Sequence, residues 1–213
     1  MFGLRIAALV AATASTGLIA GLFYGYVISV MPALNRADDR TLVDVMQKIN
    51  VVIINPWFMI AFMGTVGFSV VAAALHLGKD VRTTLIWIAV ALVLNVIAFG
   101  VTSGLNVPLN DQLAAAGDVN AIPDLAAVRA QFESDWVRWN TVRAVLHTLA
   151  FLVLLGALFV AGLQHGRAES AALPATAAGE SAAPAFPQVP GGFSAPIAAP
   201  HGSAPRGSAP GWS

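Results

Sequence analysis

Thr102-Ser103-Gly104-Leu105-Asn106-Val107-Pro108-Leu109-Asn110 closes a long apolar run with hydroxyls, a glycine, a proline and two asparagines. The run before it, about 83–104, reads as a membrane-spanning helix. Val107-Pro108 predicts its end, because the residue before a proline is pushed out of αR geometry. Asn95, Thr102 and Asn106 stand i, i+7, i+11, which on a helix places them within about 40° of one another. One polar stripe thus descends an otherwise oily helix. Such a stripe either contributes to a reaction site or holds a bundle together.

The whole chain supports a membrane reading. Of its 213 residues 57% are hydrophobic and 10% charged, and the mean hydropathy is +0.75. A soluble domain carries roughly 25% charged residues. The formal net charge is zero with no basic block, so nucleic acid is not a partner on electrostatic grounds. Cysteine is absent, which excludes disulfides, thiol catalysis and thiolate metal sites. His76 and His165 fall away from the polar stripes, so no cluster of metal-ligand spacing is expected and no cofactor is assigned.

Four spans follow from the hydrophobic pattern, at about 4–31, 56–77, 83–104 and 141–163. The first continues to about Pro32, beyond a signal-peptide h-region of roughly 7–15 residues, and is read as a retained transmembrane helix. In it Gly17, Gly21 and Gly25 stand four apart, a small-residue row that favours close helix packing, inside the bundle or between copies of the chain in a homo-oligomer. Tyr24 offers a phenol beside that row. The second span begins at Asn55-Pro56, a cap with proline at the first helical position or else a kink. Its 22 residues, Pro56 to Leu77, cover about 33 Å. Gly78 is expected to end it in left-handed geometry. Trp57 and Trp87 start successive spans at opposite interfaces.

Two amphipathic helices, about 40–54 and 125–140, are expected at the interface, the second capped by Asp124 and continuous with the fourth span. Residues 1–167 form this membrane domain. From 168 to 213 the chain is dominated by Ala, Pro, Gly and Ser, which cannot bury enough apolar area to offset the ordering entropy, and is expected to be a disordered tail. The expected architecture is therefore an all-α, multi-pass integral membrane protein, a four-helix transmembrane bundle embedded in a lipid bilayer, most simply the cell membrane. Lys and Arg near the span ends slightly favour the long connections on the cytoplasmic side, which leaves the orientation open.

A second stripe crosses the start of the fourth span. Trp136, Asn140, Arg143 and His147 stand i, i+4, i+7, i+11 and fall on one helical line. An arginine and a histidine at that depth are costly against lipid and should point into the bundle. Asn106 ends the third span on the same side, and Gln47 and Asn50 enter from the first connection. Together they predict a pocket of amides, one guanidinium, one imidazole and indole rings at one mouth of the bundle.

The order Val30-Met31-Pro32-Ala33-Leu34, Met46-Gln47-Lys48-Ile49-Asn50, Asn55-Pro56-Trp57-Phe58, Asn106-Val107-Pro108-Leu109-Asn110, then Trp136 and Trp139-Asn140-Thr141-Val142-Arg143 resembles the anthrone oxygenase-like family of small membrane proteins. The resemblance covers about 17–163. It implies oxidation of a flat aromatic anthrone to an anthraquinone by O₂, without a bound organic cofactor. It carries over to Gln47, Asn50, Asn106, Asn110, Trp136, Asn140 and Arg143. The family's arginine is often followed by threonine, where this chain has Ala144.

The chemistry needs a proton acceptor and stabilisation of a delocalised oxyanion. Arg143, Asn106 and Asn140 suit the anion, His147 the base. Trp136 and Trp139 offer flat walls, and Asn110, Gln47, Asn50 and Tyr24 complete the expected substrate contacts. Against these roles stand structural ones: interfacial anchors for the tryptophans, helix ends for Asn106 and Asn110, a salt bridge to Asp111 or Asp135 for Arg143, a satisfied core histidine for His147. A non-catalytic scaffold or accessory subunit would need no more than those. A small transporter would need a polar path across the bilayer, and the apolar stretches Trp87 to Leu94 and Leu149 to Val160 offer none.

Overall fold

The structure, a computed structural model, describes residues 1–172. It consists of five helical rods: α1 (Phe2–Asn35), α2 (Asp39–Val52), α3 (Pro56–Leu75), α4 (Lys79–Ala115, opening on a 3₁₀ turn) and α5 (Leu125–Ala172). There is no strand among the described residues. Four of the rods, α1, α3, α4 and α5, are long and apolar enough to cross a membrane. The fold is a four-helix membrane bundle. Around it each span packs on two neighbours, in the ring order α1, α5, α4, α3. α5 continues past Arg167 to Ala172, so the helix outlasts the point where the tail was expected to begin; the rest of the expected tail lies outside the described residues.

Three layers of core stack along the bundle. At the end holding the chain's start, Leu9, Ala12, Ala72, Ile88, Ala91, Ala150 and Leu154 are fully buried. Alanines dominate because, against lipid, helices associate by close packing and not by escape from water. A middle layer joins Ile19, Phe23, Ala61, Phe62 and Ala144. The third layer lies beyond the spans and buries Met31, Leu42, Val43, Met46, Leu113, Phe132 and Trp136.

That third layer changes the role of the amphipathic helices. α2 does not lie free along an interface; its Leu42, Val43 and Met46 are fully buried, each contributing about 1.5–3 kcal/mol where it leaves water. Asp38 caps α2 by accepting from the Thr41 N–H at 2.8 Å. The Thr41 backbone N–H and then its hydroxyl hold the Asp38 carboxyl below its ordinary range. Arg129, on the first part of α5, donates to Asn35 O, Ala37 O, Asp39 and Glu133. The Glu133 hydrogen bond pushes its basicity up further. This one guanidinium locks the α1–α2 corner to α5.

Asn55 is a true cap, extended at φ −125° and accepting from the Phe58 N–H at 3.1 Å, and Asp124 caps α5 through the Ala127 N–H at 2.9 Å. Gly78 is not a left-handed cap. α3 already ends at Leu75, and Gly78 is extended with φ −70° and ψ 150°; its carbonyl accepts from the Val81 N–H that closes the 3₁₀ turn. Among the described residues only Gly117 has a positive φ.

Proline does not stop the third span. α4 passes through Pro108 to Ala115, and α1 likewise passes through Pro32 to Asn35. In each, five residues before the proline pair form a π turn: Tyr26–Val30 ahead of Met31-Pro32, and Thr102–Asn106 ahead of Val107-Pro108. The Met31 N–H reaches back to Tyr26 O, and the Val107 N–H to Thr102 O. An inserted residue widens the turn where a proline ring would otherwise clash with the carbonyl four residues back. The helix absorbs the proline by a register slip.

The glycine row divides between uses. A Cβ on Gly17 would fall 2.8 Å from the Phe151 ring, while at Gly21 and Gly25 it would meet nothing within 4 Å. Gly17 is therefore a packing glycine within the bundle. Gly17→Ala is expected to lower stability by about 1–3 kcal/mol through overpacking. Gly21→Ala should be neutral or stabilising, since alanine is the better helix former by roughly 0.8–1 kcal/mol. Thermal unfolding of both variants in detergent separates the two.

Candidate functional site

The π turns place side chains at one end of the bundle. The first residue of each, Tyr26 and Thr102, lines a cavity of about 220 Å³. Its walls come from α1, the α2–α3 elbow, α4 and α5: Leu22 and Phe23, Ile53, Ile54, Phe58, Met59 and Phe62, Val107 and Asn110, Trp136 and Arg143. Phe62 stacks between Phe58 and Phe99, with centroids at 5.4 and 5.1 Å. The lining is mostly aromatic and aliphatic, with a few polar groups: Arg143, Tyr26, Asn50, Thr102 and Asn110. Ligand pockets generally combine the two in this proportion.

Arg143 is the strongest chemical feature. It is only 6% exposed, and among the described residues it makes no ion pair. Asp135, one of its candidate partners, pairs with Arg138 instead. The guanidinium lies 3.9 Å from the Phe23 ring centre and 5.3 Å from that of Trp136, contacts worth about 0.5–2 kcal/mol each. Its hydrogen bonds go to one atom, Asn140 Oδ1, from Nε at 3.2 Å and Nη2 at 3.1 Å. A guanidinium has five N–H donors, so most of its capacity is left for whatever enters the cavity.

Asn140 is itself fixed, since its Nδ2 donates to Phe23 O at 3.2 Å. It does not line the cavity; it aims Arg143. Asn106 is fully buried beside the wall and donates to Trp136 O at 3.2 Å, leaving Oδ1 without a partner. Trp136 is 3% exposed and is a wall residue; its Nε1 donates to Asn110 Oδ1 at 2.8 Å. Asn50 reaches the cavity with a buried Nδ2 that has no partner.

Three of the expected contacts lie elsewhere. Gln47 donates to Leu113 O and Gly117 O at 2.9 and 3.0 Å and clamps the α4–α5 loop, because the α2 turn carrying it faces that loop. Trp139 stands off the wall under the Arg138 guanidinium, 4.6 Å away; the three helical steps of about 100° each from Trp136 to Trp139 fall about 60° short of a full turn. Tyr24 is 54% exposed. Tyr26, two residues on, takes its place in the cavity. Phe23 and Tyr26 were not singled out from the sequence; the signal available was a proline six residues after Tyr26, repeated six residues after Thr102.

His147 lies deeper than the cavity and does not line it. It is fully buried, with its ring 5.7 Å from Phe23 and Nδ1 3.0 Å from Asn95 Oδ1. Asn95 Nδ2 donates to Thr16 Oγ1 and Thr65 O at 3.1 and 3.2 Å, which fixes its oxygen toward the histidine. An amide oxygen only accepts, so Nδ1 carries the proton and Nε2 a lone pair without a partner. The Asn95 half of the expected stripe is thus a knot joining α4 to α1, α3 and α5, and the base expected at His147 has no wall position from which to act.

The sequence model of the family described as anthrone oxygenase matches residues 57–153. The match runs from the start of α3 into α5 and takes in Asn106, Asn110, Trp136, Asn140 and Arg143. It is narrower than the resemblance read from the motifs and leaves out α1 and α2, hence Phe23, Tyr26 and Asn50. No curated protein and no solved structure matches the chain significantly.

The polar knot makes a stability prediction. Asn95→Leu strands the His147 Nδ1–H and is expected to cost about 1–3 kcal/mol. Asn95→Leu combined with His147→Leu should cost less than the sum of the two single changes, because it removes both halves of the buried pair. A double-mutant cycle by thermal unfolding in detergent reads the coupling; strict additivity would show that the two side chains do not interact.

Proposed function

We propose that the Arg143 cavity binds a flat, anthrone-like aromatic molecule and promotes its oxidation by O₂, a reading supported by the match of residues 57–153 to the sequence model described as anthrone oxygenase. The single observation that carries this reading is a buried guanidinium, paired with no carboxylate among the described residues and lining an aromatic cavity. A charge left this way inside a membrane protein is expensive unless an anion or a strong dipole completes it. An anthrone that loses a proton becomes an enolate whose negative charge is spread over a planar ring system. Its oxygen suits the free N–H donors of Arg143, and its faces suit Phe58, Phe62 and Trp136.

The chemistry asks little else of the protein. The enolate is electron-rich enough to pass an electron to O₂, and the enzyme's contribution is to favour the enolate over the neutral ketone. A donor already oriented, here by Asn140, acts without reorganisation at the moment charge develops. At about 220 Å³ the cavity is below the roughly 300–1,000 Å³ of drug-sized sites, which favours a compact fused ring over an extended or branched ligand.

Emodin anthrone is a suitable probe. The purified chain in detergent is expected to form the quinone and consume O₂ well above the uncatalysed rate. Arg143→Met, which keeps an apolar stem and removes the donors, is expected to lower the rate by about 10²–10³ with folded yield retained. A wild-type rate equal to the uncatalysed one would refute the oxygenase reading. Loss of folded yield at unchanged turnover per folded molecule would instead assign Arg143 to a scaffold. A transporter finds less support, since the bundle beyond the cavity is filled by Leu9, Ala72, Ile88, Ala91 and Leu154, all fully buried.

A further inference from the structure

Resting on that oxygenase reading, we propose that Tyr26 is a catalytic residue of the cavity, giving a proton to a peroxide formed on the substrate and taking one back from its carbon. Oxidation of a CH₂ carbon to a ketone by O₂ removes two protons from carbon and delivers protons to oxygen. Arg143 cannot serve as the proton carrier, because a guanidinium does not deprotonate in proteins. Asn50, Thr102 and Asn110 are amides and an alcohol. His147 is off the wall. Among the described residues lining the cavity, Tyr26 is the remaining group that can both release and accept a proton.

Its placement is specific. Tyr26 begins the π turn of α1, its ring packs 5.6 Å from that of Trp136, and its hydroxyl makes no hydrogen bond among the described residues. It shares the cavity with Arg143, which stabilises the phenolate formed when the proton is given up.

The steps balance. The first carbon-bound proton leaves to solvent as the enolate forms against Arg143. The enolate passes one electron to O₂; recombination forms the carbon–oxygen bond and leaves a peroxide anion, with carbon oxidised and O₂ reduced. Tyr26 protonates that anion to the hydroperoxide. The Tyr26 phenolate then removes the second carbon-bound proton, whose bonding pair becomes the new C=O as the O–O bond breaks and hydroxide departs. Hydroxide and the first proton make water, and Tyr26 is regenerated.

Tyr26→Phe removes one unpartnered oxygen from a half-buried ring. In the full-length protein with emodin anthrone, it should bind the anthrone anaerobically as wild type does, read by tryptophan fluorescence. Quinone formation should fall about 10²-fold, with the hydroperoxide accumulating in acid-quenched samples. Replacing Tyr26 with 3-fluorotyrosine, nearly isosteric but more acidic, should shift the pH profile of quinone formation to lower pH. Quinone formed by Tyr26→Phe at the wild-type rate, or an unshifted fluorotyrosine profile, overturns the role of Tyr26 while the oxygenase reading stands. An inactive wild type overturns both.

Discussion

Asn95 is where the bundle's polar accounting closes. Between helices in lipid there is no water to complete a hydrogen bond, so each buried polar group has to be satisfied by another part of the protein. Asn95 answers with three partners on three other helices, Thr16, Thr65 and His147. Because an amide has fixed donor and acceptor ends, the contacts also set the rotation of each helix about its axis. Other buried hydroxyls, such as Thr13, Ser69 and Thr102, return to carbonyls three or four residues back in their own helices and leave rotation free. One asparagine therefore does more to define the bundle than several threonines.

Arg143 stands one helical turn from His147 and follows the opposite rule. Its fixed contacts are two aromatic faces and a single amide oxygen, and no carboxylate among the described residues neutralises it. A structural arginine at this depth would be expected to have a counter-ion; this one has a cavity. The two π turns belong to the same design. Each sits on a proline-containing segment at the cavity end and each turns its first residue, Tyr26 or Thr102, inward. π turns are often found at functional sites because an added residue re-aims side chains without ending the helix.

The spans, their order and the two polar stripes were legible from hydropathy and i, i+4, i+7 spacing. Arg143, Asn110, Asn50 and Trp136 were assigned to one pocket and do line one cavity. Asn140 and Asn106 were expected inside it as donors to the anion; they stand beside it and act on protein groups, Asn140 on Arg143 and Asn106 on the Trp136 carbonyl. Pro108 was read as a stop because proline rules describe an α-helix, and the π turn evades the clash those rules assume. In α1 the expected phenol, Tyr24, falls on the exposed side, and Tyr26 lines the cavity in its place. Gln47 was misplaced because periodicity gives the face of a helix but not the element that covers it.

The sequence by itself determined that this chain crosses a membrane four times, because the free energy of placing about 20 apolar residues in hydrocarbon depends on composition and length. It also determined which polar residues had to face inward, since lipid makes the alternative costly. Only the tertiary structure decided which of those inward groups satisfy one another and which remain available. That distinction between Asn95 and Arg143 depends on distances between helices far apart in the chain, and no local periodicity encodes it.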